Sequence, residues 1–126
     1  MLSENLLVYS CGIYSLLFAL FHTAFWQLFR WKKALQNLDP VNRAIFQILN
    51  LRLIYVFLLA GFLCFAYPAE LRQTSLGSGI LMGFAIFWLG RLIEQFIFLR
   101  INNWRIHLLT GIFTVGIILF GWAAWQ

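Results

Sequence analysis

His22, Arg91, Glu94 and His107 are ionisable side chains set inside stretches that are otherwise apolar. Such groups are costly in hydrocarbon and mark functional positions by default. Two histidines and one carboxylate are the donor set that holds iron or another divalent metal with open positions. The same two histidines are also a pair of axial ligands for a haem, with Arg91 or Arg52 against a propionate. Histidine titrates near neutral pH, so His22, His107 and Glu94 equally suit a proton path. Glu94 lies one helical turn from Arg91, at the spacing of an ion pair. No HExxH, CxxCH or ExxH motif accompanies them.

These residues must be positioned by long apolar elements. Hydrophobic residues make up 63% of the 126-residue chain and charged residues 10%, far below the charge content of a soluble domain. Four apolar runs, at 6–29, 45–67, 80–99 and 106–125, each approach the ~20 residues that carry a helix across a bilayer. Helices satisfy their own backbone in lipid, and the runs lack the alternation of membrane β-strands. Met1–Asn5 contains Glu4 and no basic residue, and the run that follows exceeds a signal-peptide core, so the first span reads as a retained anchor. The expected fold is an all-α membrane protein, a single four-helix up-down bundle.

Charge sets the expected orientation. The segment 30–43 carries Arg30, Lys32, Lys33 and Arg43, and the segment 100–105 carries Arg100 and Arg105. Arg72 is alone in the second loop. By the positive-inside rule the first and third loops are cytoplasmic and both termini are non-cytoplasmic. The net charge of +5 is largely this bias and points to anionic lipid heads as the partner. Loops this short build no solvated basic surface, which excludes nucleic acid. Trp26, Trp31 and Trp104 fall near one boundary, and Tyr9, Tyr67, Trp122 and Trp125 near the other, as in an aromatic belt. Trp88 is mid-span and reads as packing.

Local chemistry marks the element ends. Asp39-Pro40 reads as a helix cap and first helical residue, Pro68 as a helix end, and Asn102-Asn103 as a tight hairpin. The segment 69–78 reads as a polar loop. Gly79-xxx-Gly83 fits close helix packing, and that face or Arg52 is a candidate contact for a homo-oligomer. The glycines of 77–83 lack the strand and phosphate site of a dinucleotide-binding turn. Cys11 and Cys64 read as small buried hydrophobes, with a disulfide as the alternative on an oxidising side. Nucleophile elbows and phosphate loops are absent, and Asp39 is the chain's sole aspartate.

Measured at 1.5 Å per residue from mid-span, His22 and Glu94 lie roughly 7 Å toward the cytoplasm and His107 roughly 11 Å. Asn50 shares that slab. Each helix then offers one polar stripe: Cys11, Ser15 and His22; Arg43, Gln47 and Asn50; Arg91, Glu94, Gln95 and Phe98; His107, Thr110, Gly111 and Thr114. Arg52 lies about 200° from Asn50 and cannot share its direction, so it is expected to snorkel or to meet a second copy. The functional expectation is a polar site of Arg91, Glu94, Gln95, Asn50, Gln47 and Thr110 that binds a small ligand or cofactor. A redox-active haem or a divalent metal on His22, His107 and Glu94 is its sharpest form. The alternatives are an oligomeric proton- or ion-linked channel or transporter, and a structural subunit whose polar network satisfies itself.

Overall fold

The computed structural model describes residues 2–126, with side chains from Glu4 onward. The described residues form helices and short connections: α1 (Leu2–Thr23), α2 (Phe25–Leu28), α3 (Trp31–Ala34), a 3-10 turn (Leu35–Asn37), α4 (Pro40–Ala66), α5 (Pro68–Gln73), α6 (Ser75–Phe98) and α7 (Trp104–Trp125). Four of them, α1, α4, α6 and α7, are long and apolar enough to cross a membrane. Leu20, Phe62, Ile86 and Phe96 are more than half exposed, a surface suited to acyl chains rather than water.

The element ends follow local rules. Asp39 Oδ1 accepts from Asn42 N at 3.2 Å and Pro40 opens α4, as the sequence predicts. α4 stops at Ala66, and Pro68 opens α5. Asn103 caps α7 by accepting from Arg105 N at 3.0 Å. Two expectations fail. The run 6–29 is not one helix: α1 ends at Thr23, and Arg30 takes a left-handed conformation with φ 51° before α3. The segment 69–78 is not a loop. It holds α5 and the first turn of α6, where Thr74 Oγ1 accepts from Gly77 N at 2.9 Å and donates to Glu70 O.

The contacts divide the chain into two compact units, residues 12–62 and a second made of 1–11 with 63–126. In the first, the buried faces of α1 and α4 meet. Phe18 and Phe57 pack with ring centroids 5.6 Å apart. Gly61 admits the Leu16 side chain, where a Cβ would overlap it. In the second, Leu81, Ala85, Trp88 and Gln95 recur at helical spacing on α6 and Phe113, Gly116, Phe120 and Ala123 on α7, all buried. Trp88 stacks on Phe113 at 5.7 Å, which makes it a packing residue as expected. Tyr9 stacks on Phe65 at 5.5 Å. Cys11 and Cys64 are buried and not joined in a disulfide, so that alternative is not realised.

Candidate functional site

The α6–α7 hairpin brings together three of the expected site residues. A connection of five residues, 99–103, forces the helices antiparallel. Gln95, 1% exposed, then reaches across: its Nε2 donates to Ile106 O at 2.9 Å and to Thr110 Oγ1 at 2.8 Å. Thr110 in turn donates to Ile106 O at 3.1 Å. These bonds fix the register of the two helices. The second oxygen-bearing half of the amide is not satisfied, for Gln95 Oε1 is buried without a hydrogen-bond partner. Such an acceptor costs stability and asks for a reason.

Arg91 lies one turn before Gln95 and is half-buried. Its guanidinium carbon stands 4.6 Å from the centroid of the buried Phe113 ring, a cation–π contact. The expected Arg91–Glu94 ion pair is not formed, and Glu94 is exposed rather than turned inward. The reason is rotational. Trp88 and Gln95 define the buried face of α6; Arg91 is about 60° from Trp88 and Glu94 about 120°. Among the described residues, neither Arg91 nor Glu94 has a hydrogen bond or an ion-pair contact.

The expected stripe on the last helix also divides. Thr110 faces α6, but His107, Gly111 and Thr114 are exposed. His107 Nε2 donates to Asn102 Oδ1 at 2.9 Å, which turns the ring toward the hairpin connection. Thr114 bonds its own helix at Thr110 O.

His22, Asn50 and Gln47 belong to the other unit. His22 is half-buried, donates from Nδ1 to Phe18 O at 3.0 Å and stacks on Phe25 with centroids 4.2 Å apart. Asn50, 4% exposed, donates from Nδ2 to His22 O at 3.0 Å and so joins α4 to the end of α1. Gln47 Oε1 accepts from Trp26 Nε1 at 2.9 Å, and its Nε2 donates to Arg43 O. Arg52 is exposed where Asn50 is buried, as their rotation predicts, and its guanidinium lies over Tyr55, 5.8 Å from the ring centroid. Among the described residues, no group of three or more His, Cys, Asp or Glu side chains stands where it can hold a metal ion.

Several partners escaped the sequence reading. Arg72 forms an ion pair with Glu4 at 3.5 Å and donates to Asn5 Oδ1 at 3.3 Å. The signal was there: Arg72 is the lone base of its loop, and Glu4 is the acid of the segment expected on the same side. Ser78 Oγ donates to Ala124 O at 2.9 Å. The role of Phe113 beneath Arg91 left no sequence signal beyond its helical spacing from Thr110. Gly79 and Gly83 do not receive a neighbouring helix of their own unit, since a Cβ at either would meet open space.

No family model, curated protein or solved structure matches the chain.

Proposed function

We propose that the chain is a multi-pass membrane protein that holds the anionic head of a small amphipathic ligand at Arg91. The observation that carries this reading is the Arg91 guanidinium itself. It is half-buried on the aromatic face of Phe113, within a span, and no carboxylate or carbonyl of the described residues accepts from it. A half-buried charge whose nearest carboxylate partner, Glu94, attracts it only from beyond ion-pair distance is costly in low dielectric, and a bound anion reduces that cost. The guanidinium fork suits a carboxylate or phosphate oxygen pair, and its aromatic seat leaves one face for the ligand. Gln95 and Thr110 act as positioning residues by locking α6 to α7 in the register that presents Arg91. The apolar tail lies along the lipid-exposed flank.

The test is to purify the chain in mild detergent and identify what stays bound by native mass spectrometry, beside Arg91→Lys and Arg91→Leu. An acidic amphiphile is expected on the wild type, weakened in the lysine variant and absent from the leucine variant. Bound amphiphile unchanged in Arg91→Leu would overturn the reading. Haem and metal content is measured on the same preparations. A stoichiometric haem or metal that disappears in His22→Ala and His107→Ala would move the function from Arg91 to the histidines.

A further inference from the structure

Residues 26–47 of the first unit enclose a cleft of about 350 Å³ lined by Trp26, Trp31, Lys32, Leu35, Gln36, Arg43 and Gln47. Its construction is specific. Arg43 donates from Nε to Leu35 O at 3.0 Å and from Nη2 to Gln36 O at 3.1 Å and Leu38 O at 3.0 Å. Three carbonyls thereby pin the guanidinium at the cleft and leave Nη1 unused. The Trp26–Gln47 bond braces one wall, and Trp26 and Trp31 meet with centroids 5.2 Å apart. The side chains of Lys32 and Gln36 have no hydrogen bond among the described residues, and the nearest acid, Asp39, is occupied in capping α4 and does not line the cleft. The segment 30–43 carries four cations and one carboxylate, and of these Lys32 and Arg43 line the cleft beside the two indoles.

A lining whose unspent groups are mostly N–H donors and cations, beside an apolar floor, suits an oxyanion that carries an apolar part. The place in the chain narrows the chemistry, because the cleft joins the end of one candidate span to the start of the next, where tryptophan marks the membrane border. We infer that this cleft is a receptor for a phosphate group, with Lys32 and Arg43 Nη1 on the phosphate oxygens, the Gln36 amide beside them, and the carbon atoms next to the phosphate against Trp26 and Trp31. The site is independent of Arg91. A phospholipid headgroup and a soluble phosphate ester share this chemistry.

The full chain is reconstituted in phosphatidylcholine nanodiscs containing a minority of phosphatidic acid, released, and the retained lipid is counted by native mass spectrometry. Lys32→Gln is compared with Lys33→Gln, which carries the same charge change outside the cleft lining. Preferential retention of phosphatidic acid is expected, reduced about tenfold by Lys32→Gln, the loss of one charge-assisted hydrogen bond to the phosphate, and much less by Lys33→Gln. Equal losses in the two variants would mean diffuse surface attraction and would overturn the site, as would retention indifferent to phosphatidic acid combined with no competition by soluble phosphate. A second arm adds glycerol 3-phosphate or inorganic phosphate. Displacement of the lipid at millimolar concentration identifies a soluble ester as an occupant of the same cleft, and absence of displacement identifies the lipid. Lys32 is exposed and makes no bond, so the variant keeps its fold; an unchanged thermal melt verifies this.

Discussion

Asn50 and Gln95 are polar side chains buried among apolar neighbours, but their energetics differ. Asn50 bonds the end of α1 through His22 O. Asn50→Leu is expected to lower stability by about 0.5–1.5 kcal/mol, the usual range for a polar contact between membrane helices, read as a shift in detergent unfolding. Gln95 makes two bonds and leaves Oε1 unmet. Gln95→Leu removes the orphan acceptor together with the bonds and should cost less than about 1 kcal/mol. Gln95→Glu puts a second oxygen against Ile106 O and should unfold the hairpin at neutral pH. A melt of Gln95→Leu well below that of Asn50→Leu would show that the orphan oxygen has a partner of its own. At this scale the sequence was legible wherever rotation decided the outcome. The opposite directions of Asn50 and Arg52 followed from their 200° separation. Glu94 follows the same rule, exposed about 120° from Trp88, although its charge and spacing suggest a partner in Arg91.

At the scale of the helix, backbone chemistry makes sharper predictions than side-chain type. Gly77 fits against α5 so closely that a Cβ would overlap the backbone of Glu70 and Leu71. Gly77→Ala should destabilise by about 1–3 kcal/mol, because backbone cannot rotate aside as a side chain can. Gly83→Ala meets open space and should leave the monomer unchanged or stabilise it by up to about 1 kcal/mol. A reversal of that order in thermal melts would refute the α5–α6 packing. Arg30 takes φ 51° without being glycine. Arg30→Gly should relieve about 1 kcal/mol of strain and lose about as much to the freer unfolded chain, so its thermal melt should stay close to that of the wild type. Boundaries were legible where the cap is a local event, as at Asp39-Pro40, Pro68 and Asn103. The break after Thr23 was not, since neither glycine nor proline marks it. The early start of α6 was hidden because Thr74, Ser75 and Gly77 have the composition of a loop.

For the whole molecule, four spans were legible because a bilayer demands long apolar runs and little else meets that demand. Which helices share a compact unit was not legible. Each span carries only a few polar residues on a largely apolar surface, so its polar stripe does not say which helix it meets. Sidedness rests on loop charge. Single cysteines placed at residue 126 and at Lys33, in a Cys11→Ala/Cys64→Ala background, are expected to react with an impermeant thiol reagent from opposite sides, the C-terminus from the non-cytoplasmic face. Cytoplasmic labelling of residue 126 would invert the topology. It would also place the phosphate cleft in the opposite leaflet without changing its chemistry.

The tie between Arg72 and the start of α1 bears on how the chain is made. Asn5 and Arg72 are separated by 67 residues yet share a bond, and Glu4 completes the cluster. At ~5–20 residues per second, a ribosome takes on the order of 3–13 s to supply the second half of that contact. During that interval the first turn of α1 lacks its Arg72 partner. A nascent chain arrested before residue 72 should therefore leave Glu4 and Asn5 accessible to a protease or a crosslinker, and release past α5 should close them. The first turn of α1 is thus secured only once α5 has been made.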